Sequence, residues 1–420
     1  MYLRHTSSVT TPYPFGTSAG GAAASAGATD AFGRARVSNP LTLFDSSHRY
    51  HDNGLWSTST ATGGTSTFDA SAGLVNLAVT TSSGSEVIRE TTKCCSYQPG
   101  KSLLVMSTFT LNPAKTGLRQ RVGYYGAANG MYVELANNTL SFVERSSSTG
   151  SLVETRVAQS DWNADPLNGT GPSNLTLDPT KSQILWMDIE WLGLGTVRLG
   201  FVINGKFIHC HSFHHANIIT STYITTASLP LRYEITNTAA TTSASTLKQV
   251  CSTVLSEGGY ELRGLQQAIG TNITAPYALA TAGTYYPIIS LRLKSTALDA
   301  IVILTALSVM AATANANYNW RVIASSTTTG GTWTSAGTES SVEYNLTGTA
   351  TTGGRVLAQG YFSSTNQSTA SVDILKEALF KFQLERDGLT ATPYELSLVV
   401  TASVSTSNVH ASIDWEEISR

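Results

Sequence analysis

Four of the eight histidines lie close together in the chain: His209, His211, His214 and His215. If this stretch is a β-strand, His209 and His211 point to the same face, because side chains on a strand alternate. Two imidazoles, completed by a ligand from a neighbouring strand, form a metal site. The alternatives are a partly exposed hairpin face or a pH-sensitive subunit contact. We favour the hairpin face and predict no metal and no cofactor.

Asp188 and Glu190 are a second candidate for chemistry, since they occupy alternate positions of one strand-like segment, with Trp186 on the same face. Two carboxylates roughly 5–9 Å apart are the catalytic pair of glycoside hydrolases. The wet face of an ordinary strand carries the same residues, so we predict that the chain is not an enzyme and has no catalytic residues. Glycan binding remains the alternative; its candidate residues are Trp162, Trp186, Asp188 and Glu190, with Trp333 and Tyr361 as further aromatics.

Two other motifs are weaker. Residues 16–20 match the G-x-S-x-G pattern of hydrolases, but they lie in a Gly/Ala/Ser-rich segment with no strand before them. Cys94 and Cys95 are adjacent and lack the spacing of a zinc site, so we expect reduced thiols.

The composition indicates which elements carry these residues. The chain of 420 residues has 58 Thr and 50 Ser, twice the 54 charged residues. Threonine favours strands because its branched β-carbon restricts the side chain. The net charge of −2 argues against a nucleic-acid partner. The longest apolar run, residues 300–312, is too short for a membrane helix, and the first residues show no secretory leader.

We therefore predict an all-β fold with two β-sandwich domains and an extended arm. The arm is the Gly/Ala/Ser-rich segment 1–38, which we expect to anchor the protein. Residues 39–264 form a jelly-roll domain, in which Asn204-Gly205 closes a hairpin between two alternating runs. Residues 265–420 form a second sandwich, with one short helix over 373–384.

Several phrases in the sequence resemble virion structural proteins of tailed bacteriophages, especially aquatic ones. The resemblance covers most of the chain, and the phrases lie at 34–45, 119–126 with Gly130 and Glu134, 154–162, 183–191, 200–207, 291–294, 318–321, 341–344 and 414–417. The resemblance implies a concanavalin-like jelly roll in the first domain. It also implies a place in the virion, on the particle surface at the head or tail, and a non-enzymatic role.

The predicted function is a virion structural protein that decorates or cements the capsid, or builds a neck or tail appendage. Its predicted partners are further copies of itself, as a homotrimer, and other capsid or tail proteins, with no membrane partner. The alternative is a receptor- or carbohydrate-binding tail fibre or spike module that binds a host surface glycan. A glycan depolymerase using Asp188 and Glu190 is the least favoured reading.

Overall fold

The structure is a computed structural model that describes residues 30–31, 39–364, 370–371 and 381–419. Most of the predicted arm, including the G-x-S-x-G pentamer, lies outside these residues. Of the arm, the structure describes Asp30, which is buried, and Ala31, whose N–H donates to Ser102 Oγ at 3.4 Å. Most of the predicted helix over 373–384 also lies outside the described residues, and its last residues, 381–384, form a turn and a β-bridge.

The described chain is built almost entirely from β-strands, which confirms the all-β prediction and its two sandwiches. Strands β1 to β15 are, in order, Leu41–Ser47, Trp56–Ala61, Thr65–Asp69, Leu74–Val79, Glu86–Thr91, Ser102–Thr110, Leu118–Tyr125, Gly130–Ala136, Thr139–Ser146, Val153–Ala158, Gln183–Ile189, Val197–Ile203, Lys206–Phe213, Leu231–Asn237 and Ser245–Glu257. Strands β16 to β28 are Leu265–Gly270, Tyr277–Leu279, Tyr286–Leu293, Ile301–Ala311, Asn317–Thr329, Thr334–Ser335, Val342–Asn345, Ala350–Ser363, Ala370–Ser371, Arg386–Asp387, Thr392–Pro393, Glu395–Ala402 and Ser407–Ser419. One 3-10 turn, Gln159–Asp161, follows β10. No helix among the described residues has the length and apolar character needed to cross a membrane.

The first sandwich packs an eight-stranded sheet against a seven-stranded one, counted over the described residues. The larger sheet has the order β13-β12-β11-β6-β15-β4-β3, with β1 also paired to β15, and the smaller has the order β10-β9-β8-β7-β14-β5-β2. All pairs are antiparallel. Alternate residues of both sheets, such as Leu77 on β4 and Val122 on β7, meet in one core. This alternation is what a sheet with a single buried face requires.

The second sandwich follows the same plan. A five-stranded sheet, β16-β28-β19-β24 with β17 paired to β28, packs against a six-stranded sheet, β21-β22-β18-β27-β20-β23, again among the described residues. The apolar run 300–312 forms β19, a strand paired on both sides. Its residues Val302 and Leu304 face the sandwich core, whereas Ile301 and Ile303 face the first sandwich. Burial on both faces explains why this segment is apolar without alternation.

A polar joint holds the two sandwiches together. Arg386 forms an ion pair with Glu90 at 2.9 Å and donates to the carbonyl of Thr91 at 2.9 Å and to Cys94 Sγ at 3.3 Å. Gln383 Nε2 donates to the carbonyl of Cys94 at 2.9 Å. Arg386 is 5% exposed and Glu90 is 2% exposed, so this joint is buried. Buried polar groups of this kind must be matched to be tolerated, and they therefore define one relative position.

Candidate functional site

Trp162 is a core residue, contrary to the prediction that it stacks on a sugar. Its side chain is 5% exposed and lies parallel to the ring of Phe142, with ring centres 4.2 Å apart. Its indole N–H donates to the carbonyl of Val157 at 3.2 Å. The residue fills the space between the two sheets, where a ligand has no access.

Trp186 points away from the core as predicted, but it is fully buried and offers no face for a glycan. Phe207 packs edge-on against it at 5.6 Å between ring centres, and Leu104 and Met106 complete the cover. Gly200 on the neighbouring strand makes room for the ring, because a Cβ there would lie 2.9 Å from Trp186 Nε1.

Asp188 is buried and neutralised rather than poised for acid–base chemistry. It is 0% exposed, forms an ion pair with Arg198 and accepts a hydrogen bond from Ser102 Oγ at 2.6 Å. Glu190 lies at the end of the segment, where its carbonyl accepts a hydrogen bond from Tyr223 Oη at 2.9 Å. The carboxylate of Asp188 is therefore engaged by Arg198 and Ser102 and is shielded from water.

The histidine cluster does not form the predicted same-face pair, because β13 contains a β-bulge. Leu199 lies opposite His211, and Gly200 lies opposite His209, so Cys210 is the extra residue. Residues that lie opposite each other in an antiparallel pair share a face. His209 therefore points outward, near Trp186, whereas His211 points inward against Phe213.

Each of these histidines has a protein contact of its own. His209 Nε2 lies 2.8 Å from Ser212 Oγ, and His211 Nδ1 accepts the N–H of Asn163 at 3.3 Å. Burial, together with the nearby charge of Arg198, lowers the pKa of His209 to about 4. Burial, together with His214, lowers the pKa of His211 to about 4. Within the described ranges, no group of three or more His, Cys, Asp or Glu side chains is placed to hold a metal ion.

The remaining predicted aromatics lie on the second sandwich, at separate places. Trp333 is half-buried beneath the guanidinium of Arg292, which lies 4.1 Å from its ring centre. Tyr361 is 78% exposed on β23. Neither residue lines the cavities of about 420 Å³ and 200 Å³ that are described next.

The site that sequence reasoning missed is a cleft between the two sandwiches, with a volume of about 420 Å³. The first sandwich contributes two aromatic residues and one loop, and the second contributes the connection before β19. The lining residues are Tyr97, Pro99, Trp191, Thr225, Thr226, Ala227 and Ser228 on one side, and Thr296, Ala297, Asp299, Ala300 and Ile418 on the other. Small-molecule sites occupy roughly 300–1,000 Å³ and occur preferentially at such domain interfaces.

The aromatic wall of the cleft is held rigidly. Trp191 and Tyr97 pack edge-to-face with ring centres 5.8 Å apart. The backbone N–H of Trp191 donates to Tyr97 Oη at 3.3 Å, and its indole N–H donates to the carbonyl of Ile224 at 3.1 Å. Burial raises the pKa of Tyr97, so its hydroxyl stays neutral. Trp191 is half-buried, which leaves part of the ring available to the cleft.

A smaller cavity of about 200 Å³ extends the cleft along the joint. It shares Thr226, Ser228 and Asp299 with the larger cavity and reaches Glu90 and Arg386 at its far end. The charge of Arg386 is matched there by Glu90. Asp299 is exposed between the two cavities, where its carboxylate is free to face a ligand in either one.

The outer face of the seven-stranded sheet carries a second polar cluster. It comprises Arg119, Arg121, Arg145, Arg156, Arg232, Glu90, Glu134, Glu154 and Glu234, with Tyr132 and Tyr125 between them. Burial alone would raise the pKa of Glu154, but hydrogen bonds from Tyr132 and Arg145 and the charge of Arg121 lower it to about 2. Five arginines and four glutamates form one network here, in which buried charges of opposite sign lie together.

Comparisons with known proteins find similarity in fold only. No protein-family model matches the sequence, and a search of curated proteins finds no significant match. Among solved structures, the chain is similar to a protein of unknown function from Shewanella oneidensis MR-1, at 9% identity and a TM-score of 0.35, over 54% of this chain and 92% of that chain.

Two further similar structures are described as carbohydrate proteins. One is the carbohydrate recognition domain of Emp47p, at 11% identity and a TM-score of 0.30, over 48% of this chain and 89% of that chain. The other is a carbohydrate esterase from the Shiga toxin-encoding bacteriophage phi24B, at 11% identity and a TM-score of 0.32, over 52% of this chain and 99% of that chain. The fold assignment rests on the sheets described above.

Proposed function

We propose that this chain is a non-enzymatic structural subunit of a tailed-bacteriophage particle, located on the surface of the head or tail. The observation that carries the proposal is the buried joint of Arg386, Gln383 and Glu90 between the two sandwiches. A subunit that connects neighbours on a particle needs contact surfaces at fixed positions. Two sandwiches held by matched buried polar groups meet that need, whereas a flexible linker would not. The sequence resemblance to phage virion proteins supports the same role.

Imaging of purified particles that carry a labelled copy of this protein tests the proposal. We expect the label on the head lattice, the neck or the tail, in a regular arrangement. A protein that is absent from purified particles, although infected cells produce it, would contradict the structural role.

Residues 1–38 serve as the anchor in this proposal. Asp30 and Ala31 already contact the first sandwich, since Asp30 is buried and Ala31 bonds to Ser102. Deleting residues 1–29 is expected to abolish incorporation into particles and to leave the melting temperature of the purified body nearly unchanged. A truncated body that still loads onto particles would exclude the anchor.

Self-association is proposed to use the edge strand β23. Among the described residues its 14-residue length exceeds that of the other sheet edges, and Arg355 is its one charged residue. By contrast, the edge strand β13 is covered, because the N–H groups of Ala164 and Asp165 bond to the carbonyl of Cys210. Long edge strands of low charge pair readily with other chains. A second copy fits this edge because two nearly uncharged strands pair without repulsion.

The mass of the purified protein in solution, measured by light scattering, tests this contact. We expect an oligomer, a trimer from the sequence prediction, which the Val356→Lys, Tyr361→Lys double variant converts to smaller species. The matched control is Ile273→Lys, which places a charge at a residue 74% exposed elsewhere. A monomeric wild type, or an oligomer that the double variant leaves intact, would exclude β23.

The non-enzymatic part of the proposal is supported by the ion pair of Asp188 with Arg198. If the chain did degrade a glycan through Asp188 and Glu190, the Asp188→Asn, Glu190→Gln double variant would lose that activity. We expect no degradation of host polysaccharide by the wild type, measured by the release of reducing ends. Release that the double variant abolishes would overturn the non-enzymatic role.

Receptor binding is the second candidate function, and the cleft lined by Trp191, Tyr97 and Asp299 favours it. A tail or head protein that contacts a host surface needs an open site with an aromatic face and polar groups. Fluorescently labelled protein is expected to bind whole host cells, and failure to bind them would exclude this candidate.

A further inference from the structure

We propose that the cleft between the two sandwiches is a binding site for a short, uncharged saccharide. The inference rests on the receptor-binding candidate and adds to it the site and the chemical class of the ligand. The cavity of about 420 Å³ is lined by two aromatic side chains, here called the aromatic wall, and by hydroxyl-bearing residues with Asp299, here called the polar wall. Sugars carry an apolar C–H face and a rim of hydroxyls, so they need both kinds of wall.

The aromatic wall supplies the stacking surface. Trp191 is clamped by Tyr97 and by the carbonyl of Ile224, so its ring orientation is set before a ligand arrives. A preorganised ring loses little conformational entropy on binding, and this raises affinity. The half-buried indole presents apolar area to the cleft, which favours the C–H face of a sugar ring.

The polar wall supplies hydrogen bonds suited to sugar hydroxyls. Thr225, Thr226, Ser228 and Thr296 carry hydroxyls that both donate and accept. Asp299 is exposed in the cleft, and its carboxylate accepts hydrogen bonds from two adjacent hydroxyls. Charge-assisted bonds of this kind are stronger than those between neutral groups.

The charges of the cleft select against acidic sugars. Among the described residues that line the larger cavity, Asp299 is the one charged side chain. The nearby cation, Arg386, lines the smaller cavity and is neutralised by Glu90. A uronic or sialic acid would meet the carboxylate of Asp299 and, among the described lining residues, no cation other than the Arg386 paired with Glu90; like charges at close range disfavour binding.

The test uses the purified full-length protein on an array of neutral and acidic oligosaccharides, followed by titration of the positive glycans with tryptophan fluorescence. We expect binding to neutral glycans, with a change in Trp191 emission. Asp299→Asn and Trp191→Ala are each expected to weaken binding about tenfold or more, because each removes one wall of the site. The matched controls are Asp161→Asn, an exposed carboxylate elsewhere, and Trp333→Ala, a half-buried tryptophan outside the cleft.

If Trp191→Ala fails to fold, Asp299→Asn still tests the site, because Asp299 is exposed and its replacement is not expected to disturb folding. Binding restricted to acidic glycans, binding that survives both cleft variants, or no binding to any glycan would overturn the inference. Host-cell binding measured with the same proteins separates the two ideas. Cells that bind wild type and both cleft variants equally would leave the receptor function standing and exclude the cleft.

Discussion

Two histidines of β13, His209 and His211, have pKa values well below that of a free imidazole. His211 is 6% exposed and packs against the ring of Phe213, with ring centres 4.6 Å apart. Burial, with a smaller contribution from His214, lowers its pKa from 6.5 to about 4. His209 has a pKa of about 4 for the same main reason, with Arg198 adding to it. Folding therefore releases protons from these side chains in mildly acidic solution.

Replacing His211 by Asn is expected to reduce the acid sensitivity of the protein. The pKa of His211 is about 4 in the folded protein and 6.5 in the unfolded chain. Above pH 6.5 the imidazole is neutral in both states, so its contribution to folding stability is fully present. As pH falls toward 4 the unfolded chain binds a proton and the folded protein does not, so this contribution is lost. At pH 5 the single group accounts for about 2 kcal/mol of lost stability. Urea unfolding at pH 7 and pH 5 measures this difference.

The control for this prediction is His51→Asn, which changes an exposed histidine. Wild type and His51→Asn should lose similar stability between the two pH values, and His211→Asn should lose less. Equal losses in all three proteins would show that His211 is not responsible.

At the scale of the elements, the outer face of the seven-stranded sheet depends on a matched set of charges. Glu234 is 3% exposed and accepts from Arg119 at 2.9 Å, from Arg232 at 3.3 Å and from Arg121 at 3.5 Å. Removing one member of a buried charge cluster leaves its partners unmatched, which typically costs several kcal/mol. Without Glu234, the arginines of β7 and β14 that donate to it would lose the carboxylate that they share.

Glu234→Gln is therefore expected to destabilise the protein by about 3 kcal/mol, measured as a lower urea midpoint. The matched control is Glu261→Gln, which removes an exposed partner of Arg263 and should change stability by less than about 1 kcal/mol. A Glu234→Gln variant as stable as the control would mean that the arginines find other partners.

The pairing of β11, β12 and β13 requires a residue without a side chain at Gly200. A Cβ at this position would lie 1.9 Å from the carbonyl oxygen of Ile208 and 2.9 Å from Trp186 Nε1. Backbone cannot yield by that much without breaking the strand pair. Gly200→Ala is expected to reduce the melting temperature by at least several degrees, whereas Gly337→Ala, where a Cβ would meet no atom closer than 4.0 Å, should cost far less. A fully stable Gly200→Ala protein would contradict the tight packing.

The sequence was informative about strands and uninformative about their irregularities. The hairpin at Asn204-Gly205 was predictable, because both residues adopt the positive φ that this dipeptide favours, 52° and 73°. The bulge at Cys210 was not, because one extra residue leaves the apolar pattern almost unchanged while it reverses the direction of every side chain on one side. The expectation that His209 and His211 share a face was wrong for that reason.

The tryptophans illustrate a related limit. Trp162, Trp186 and Trp191 lie in similar strand-rich contexts, and the sequence predicted binding at the first two. Burial depends on which loops and glycines lie above each ring, and these neighbours are distant in the chain. The cleft in particular is lined by residues between positions 97 and 418, so no local sequence pattern predicts it.

At the scale of the whole molecule, we expect the joint around Arg386 to couple the unfolding of the two sandwiches. Its guanidinium contacts Glu90, the carbonyl of Thr91 and the thiol of Cys94, all in the first sandwich. Arg386→Ala leaves Glu90 with Arg232 as its remaining cation. We expect calorimetry to show one transition for wild type and two for this variant.

Arg292→Ala is the control, because Arg292 pairs with Glu343 at 2.9 Å within the second sandwich. A single transition in both variants would mean that the apolar contacts around Ile301 and Ile303 suffice to couple the sandwiches.

The thiol of Cys94 provides a chemical probe of this joint. Burial raises the pKa of Cys94 to about 11, so the sulfur stays in the thiol form while the sandwiches are in contact. The reactive form of a cysteine is the thiolate, so Cys94 is both inaccessible and unreactive in this state. Cys251 is exposed in the same chain and serves as an internal reference for alkylation. The labelling rate of Cys94 relative to Cys251 therefore reports how often the sandwiches separate. The same ratio, measured by mass spectrometry on intact particles and on free subunits, compares how firmly assembly holds the joint closed.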